Sequence, residues 1–152
     1  MDADRLRDLL RAVQTGSVSP DEALLRLRRL PYEDLGYARL DTHRAIRSGA
    51  PETVYCPGKS TDQVVQILIR LAESHVNVLA TRATAEQHAA AVDAGLRVTW
   101  HPTARLLVAN PEAVEGVGLV VVVSAGTSDL AVAEEAAVTA EVRGNRVERV
   151  YD

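Results

Sequence analysis

The chain has 152 residues, a formal net charge of −4 and 47% hydrophobic residues, with no Phe, one Trp and four Tyr. That length suits one domain, or one small domain with part of another, around a core of Leu, Val, Ile and Ala, and the acidic balance gives no electrostatic basis for binding nucleic acid or a membrane. One cysteine excludes an internal disulfide framework, no run approaches the ~18 apolar residues of a membrane span, and the charged start MDADRLRDLLRAVQTG is no signal peptide, so a soluble cytoplasmic protein is expected.

Leu6, Leu9, Leu10 and Val13 recur at helical spacing, and a second helix follows with a start signal of its own: Ser19 as N-cap, Pro20 at the first helical position and Glu22 to complete a capping box. Leu24, Leu25 and Leu27 give it an apolar face, and Arg26, Arg28 and Arg29 an arginine-rich outer side. Residues 1–30 therefore read as a helical hairpin for packing or assembly, ended by Pro31. Tyr32 to Leu40 is a connector containing Gly36. Ala45-Ile46 and Thr53-Val54-Tyr55 look like short strand pieces split by Ser48-Gly49-Ala50-Pro51.

Ser60 or Thr61 then caps a strongly periodic helix that buries Val64, Val65, Ile67, Leu68 and Leu71. Val76 to Ala80 is a predicted strand and Thr84 to Ala94 a helix closed by Gly95. Arg97–Trp100 and Arg105–Ala109 read as a hairpin or adjacent strands. Asn110 to Gly116, with Pro111, is the expected boundary, and Val117 to Asp152 reads as one β-α-β unit. The fold class is α/β: an N-terminal helical hairpin, a small α/β domain over 31–115, and an incomplete parallel-sheet domain over 116–152.

Several groups could carry chemistry. The turn Ser124-Ala125-Gly126-Thr127-Ser128-Asp129 lies between the carboxyl end of an apolar strand and a helix N-terminus, where unpaired amides and the helix dipole favour a phosphate or carboxylate. The alternative is an ordinary turn whose Ser and Asp cap the helix. Asp129 can cap, accept from ribose hydroxyls or help position a metal-bound phosphate, whereas Glu134 and Glu135 are expected to favour the dipole or face solvent.

Gly58-Lys59-Ser60 stands between a strand and a helix. It is no P-loop, because Thr53 occupies the position of that motif's first glycine. Lys59, the one lysine beside sixteen arginines, can still place an ammonium next to a helix N-terminus. Arg44 and Arg47 offer forked donors for a pyrophosphate or a ring carboxylate. They equally suit a surface ion-pair set with Asp41 and Glu52, sharing a face with Asp41 if helical and pointing to opposite sides if extended. Thr81-Arg82 follows a buried strand at the edge where α/β folds gather ligand groups.

His43, His75, His88 and His101 show no metal-ligand spacing, so no metal site is expected from them. Cys56 reads as a structural, half-buried thiol rather than a reactive one, and no nucleophile elbow is present.

The stretches from Leu40 to Ser60 and from Asn77 to Arg82 are similar to the N-terminal part of the LarB family, and the Gly126-Thr127-Ser128-Asp129 turn resembles the phosphate-holding turn that opens the PurE-type carboxylase fold. LarB proteins couple two such domains. The resemblance implies pyridinium-3,5-biscarboxylic acid mononucleotide synthesis on the route to the nickel-pincer nucleotide cofactor of lactate racemase. In that reaction the pyridinium ring of nicotinic acid adenine dinucleotide is carboxylated with carbon dioxide or bicarbonate, and phosphoanhydride cleavage releases AMP.

It further implies a small-molecule dinucleotide as partner, magnesium as a plausible ion for the cleavage, and homo-oligomers, octameric in PurE-like families. Substrate contacts would then be Asp41, Arg44, Arg47, Glu52, Lys59, Thr81 and Arg82 together with Ser124, Gly126, Thr127, Ser128 and Asp129. The family's cysteine nucleophile has no counterpart before Asp152, and Cys56 is not that cysteine. The chain thus looks like the front of a family member, inactive by itself. A purine-biosynthetic aminoimidazole ribonucleotide carboxylase, or a non-catalytic nucleotide-binding or assembly module, is the competing expectation.

Overall fold

The computed structural model describes residues 3–27, 32–116 and 118–152. Arg28, Arg29, Leu30 and Pro31, expected to complete and end the helical hairpin, lie outside the described residues, as does Val117. By contact the chain divides once, between Glu52 and Thr53, where composition places divisions at 30/31 and 115/116.

In the first unit α1 (Ala3–Gln14) and α2 (Pro20–Leu27) form the expected helix pair. The Ser19 hydroxyl accepts from the Glu22 amide at 3.1 Å, and the Glu22 carboxylate takes Arg26 one turn on. Leu9 and Ala23 are buried, but Leu10, Leu24 and Leu25 are exposed. The expected apolar face of α2 is therefore solvent-facing in this unit, and it is Ala23 that packs.

The segment read as a connector is a β-hairpin, β1 (Tyr32–Asp34) antiparallel to β2 (Arg39–Asp41). Gly36 turns it at φ +83 with its amide donating to Asp34, a backbone state that costs glycine nothing. Ala45-Ile46 is not a strand piece. It lies in α3 (Arg44–Ser48), stopped by Gly49 in the left-handed region with its amide donating to Ala45 O at 3.0 Å.

The second unit carries the core. A four-stranded mixed sheet has the order β3 (Val54–Tyr55), β4 (Val78–Thr81), β6 (Leu106–Ala109), β5 (Val98–His101), with β3 and β4 parallel and the other pairs antiparallel. α4 (Thr61–Ala72) lies between β3 and β4 in sequence, and its Val64, Val65, Ile67, Leu68 and Leu71 are all buried, as the periodicity predicts. α5 (Ala85–Asp93) follows β4. β4 and β6 are buried almost throughout, which matches their unbroken apolar sequences.

β7 (Leu119–Ser124), α6 (Leu130–Val142) and β8 (Arg146–Tyr151) form the expected β-α-β unit, with the two strands parallel and paired from Leu119–Arg146 to Ser124–Tyr151. Val138 of α6 joins Leu79, Ala104, Leu106 and Val108 in one core cluster, so α6 packs on the four-stranded sheet as well as on its own. Gly116 has no room for a side chain, because a Cβ there would fall on the Gly144 carbonyl. Among the described residues no helix is long and apolar enough to cross a membrane. The fold is α/β.

Candidate functional site

Because β3 and β4 are parallel and paired Tyr55 to Thr81, the loops that leave them emerge side by side at one edge of the sheet. That edge, at the carboxyl ends of adjacent parallel strands, is where α/β folds present ligand groups. Each loop ends in a helix with a complete capping box. Ser60 accepts from the Gln63 amide while Gln63 accepts from the Ser60 amide, and Thr84 and Gln87 repeat the arrangement. Ser60, not Thr61, is the cap of α4. Thr61 instead donates its hydroxyl to Glu86 on α5 at 3.0 Å and ties the two helix starts together.

Lys59 follows Gly58, which turns the loop at φ +81, and its ammonium donates to the Tyr55 carbonyl at 2.7 Å. Cys56 is buried at the base of the same loop, with its amide donating to Thr81 O at 3.1 Å. Burial pushes the Cys56 thiol up to about 11, against the lowering pull of Lys59 and Arg105.

Arg82 stands at φ +55 immediately after β4, and its Nε donates to Glu135 of α6 at 2.9 Å. Arg105 was not among the residues singled out from the sequence. It lies in the β5–β6 turn at φ +50, and its carbonyl accepts from the Ala83 amide at 2.8 Å. The antiparallel register of β4 and β6, Ala80 to Leu107, carried two residues further, puts Arg105 opposite Arg82. Its guanidinium reaches the Ala83 and Arg82 carbonyls only at 3.4 Å each. Arg82, Arg105, Ala104, Ala131, Val132 and Glu135 line a pocket of about 70 Å³. The edge thus gathers Lys59, Thr81, Arg82 and Arg105 beside the starts of α4 and α5, with the first turns of α6 as a further wall.

The Ser124–Asp129 turn opens at the paired ends of β7 and β8, and Ala125 to Asp129 are exposed. Among the described residues the Asp129 amide donates to Gly126 O at 3.1 Å, and the amides of Gly126, Thr127 and Ser128 have no acceptor. Gly126 takes φ +93 to make the bend. Asp129 does not cap α6 through its side chain. It occupies the N-cap position in a helical conformation, φ −92 and ψ −13, from which the carboxylate makes no cap bond, and it is exposed. Glu134 and Glu135, expected to favour the helix dipole or face solvent, are both engaged by arginines, Glu135 by Arg82 and Glu134 by Arg149 at 3.0 Å. Arg149 also grips Glu141 through both terminal nitrogens, which lowers the Glu141 carboxyl and raises the guanidinium.

Asp41, Arg44, Arg47 and Glu52 belong to the first unit. There Arg47 pairs with Asp41 at 2.6 Å and the Glu52 carboxylate accepts from the Asp41 amide at 2.8 Å. Of the ion-pair set the sequence allowed, the Arg47–Asp41 pair is present, Glu52 binds a backbone amide instead of an arginine, and Arg44 is exposed at the start of α3. Among the described residues no group of three or more His, Cys, Asp or Glu side chains could hold a metal.

A family model for the LarB/PurE-like N-terminal domain matches residues 32–112. The "Uncharacterized protein MJ0165" of Methanocaldococcus jannaschii is 30% identical over 155 residues, covering 97% of this chain and 60% of that protein. The chain therefore spans 60% of the length of that relative. The match takes in α3, the Gly58-Lys59 loop, Arg82 and Arg105, and leaves the Gly126–Asp129 turn beyond it. With a family match over more than half of its residues, the chain belongs to the LarB family.

Proposed function

We propose that this chain is the substrate-holding part of a LarB-type enzyme, which binds nicotinic acid adenine dinucleotide for carboxylation of its pyridinium ring and for phosphoanhydride hydrolysis that releases AMP. Such an enzyme works in nickel-pincer nucleotide cofactor synthesis. The observation that carries this reading is the cationic edge: Lys59, Arg82 and Arg105 arrive from three separate loops at the carboxyl ends of β3 and β4. In a protein of net charge −4, such a local excess of positive charge suits a pyrophosphate or an acidic ring substituent. The amides of the exposed residues Gly126 to Ser128 supply a second set of anion donors in the turn before α6.

Catalysis by this chain alone is not expected. Its thiol, Cys56, is buried and held protonated, the reverse of an activated nucleophile. Calorimetry with the dinucleotide and with AMP tests the reading. Saturable binding of the dinucleotide, competed by AMP, is expected, and a folded sample that binds neither would end it.

A second reading, of an assembly module, is favoured by one observation. Leu119, Val121 and Val123 of β7 and Val150 of β8 lie on the sheet face away from α6 and are all exposed. Arg146 and Glu148 share that face beside the four apolar residues; an exposed apolar patch of this kind is ordinarily covered, and a further copy of the chain in a homo-oligomer would cover it.

A further inference from the structure

The pair between Arg82 and Glu135 joins the end of β4 to α6, which also packs on the separate β7–β8 sheet. It is partly open to solvent, with the Arg82 side chain 46% exposed and that of Glu135 25%, so water and salt reach and weaken it. Arg105 lies across the register from Arg82 and lines the same small pocket. Its two contacts, at 3.4 Å, go to backbone carbonyls, which leaves the fork of guanidinium donors underused.

Glu135 is the one carboxylate in that pocket, and the other walls, Ala104, Ala131 and Val132, bring no polar side chain. At about 70 Å³ the pocket is well below the ~300 Å³ that encloses a whole small ligand. It suits one group of a ligand, with the remainder lying along the open edge.

We propose that Glu135 is a built-in counter-ion, which holds the anion position on Arg82 in the pocket shared with Arg105 in the ligand-free protein and gives it up to a phosphate or pyrophosphate group when ligand binds. A carboxylate on a helix satisfies one arginine. A phosphoryl group carries more charge and more acceptor oxygens, and it can take forked donors from both arginines at once. Exchange of Glu135 for ligand breaks the ion pair that ties α6 to the end of β4 while the Val138 packing stays, so occupancy at the sheet edge is felt at the helix that follows the Gly126–Asp129 turn. The identity of the ligand rests on the function proposed above, whereas the exchange itself does not.

The test uses inorganic pyrophosphate titrated calorimetrically into the wild-type chain, Glu135→Gln, Arg82→Ala, Arg105→Ala and the variants that combine Glu135→Gln with each arginine change, at low and fixed ionic strength, with circular dichroism confirming that each is folded. Glu135→Gln is expected to bind three- to tenfold more tightly than wild type, because Arg82 is freed. The gain should vanish in the Arg82→Ala background, which separates removal of a competitor from a general loss of negative charge. Arg105→Ala should weaken binding in either Glu135 background. Equal or weaker binding by Glu135→Gln, a gain that persists without Arg82, or no pyrophosphate binding by any of these proteins would overturn the inference. Dinucleotide binding with no effect of Glu135→Gln sinks the exchange and spares the functional reading, while pyrophosphate exchange without dinucleotide binding does the reverse.

Discussion

Lys59 and Arg105 show how differently two cations of one site can be read. Lys59 is the single lysine beside sixteen arginines and follows a glycine between a strand and a helix, so its place announces itself. Arg105 looks like any of those sixteen, and its role depends on a strand register that puts residue 105 opposite residue 82. Cys56 illustrates the same limit on its neighbour. A thiol beside Lys59 could be activated or inert, and only burial decides for inert, since desolvation outweighs both cations and lifts the thiol to about 11. Thiol reagents at pH 8 should therefore leave the folded protein unlabelled and react at once after unfolding, as mass spectrometry would report. Because the folded thiol holds its proton above the ordinary value of 9.0, the unfolded chain ionises first. Stability is then expected to fall as pH rises from 9 towards 11, and a Cys56→Ala variant should show a shallower decline of Tm over that window. Rapid labelling of native protein would contradict the burial argument.

Among the elements, those with a complete local signal were legible. Ser60 and Thr84 are followed three residues on by Gln63 and Gln87, and both boxes close in the fold. Their helices take the bounds that periodicity suggests because cap, apolar face and stop agree. α3 was misread as a strand because five residues are too few to separate a period of 3.6 from one of 2, and its true signal was the stop at Gly49. The Tyr32–Asp41 hairpin was missed because its strands are three residues each. Asp129 could cap by its residue type but does not, for a different reason: cap chemistry requires extended backbone at the cap, and Asp129 follows the Gly126 bend already helical. The contrast is measurable. Thr84→Ala should cost about 1 kcal/mol, seen as a fall of a few degrees in Tm, whereas Asp129→Ala removes no cap bond and should stay within ~0.5 kcal/mol of wild type. Equal losses in the two variants would mean that the Asp129 carboxylate caps after all.

For the whole molecule, alternation of strands and helices sufficed for the α/β class, while the site did not follow from it, since Asp41, Arg44, Arg47 and Glu52 belong to one unit and Lys59, Thr81 and Arg82 to the other. The open β7–β8 face was foreseeable, because Leu119 to Val123 is apolar at every position and one helix covers one side. Sedimentation velocity is expected to find self-association that Val121→Lys, placed between Leu119 and Val123, disrupts with little change in Tm. A monomeric wild type at tens of micromolar would remove the assembly reading. The decisive titration is of nicotinic acid adenine dinucleotide into this chain and into a Lys59→Ala/Arg105→Ala variant that leaves the Arg82–Glu135 pair intact. One saturable site is expected in the wild type, weakened at least tenfold in the variant, in line with the ~1.5–3 kcal/mol of a charged hydrogen bond. A folded wild type that releases no binding heat, or equal affinity in the two proteins, would contradict the cationic edge as the place where substrate is held.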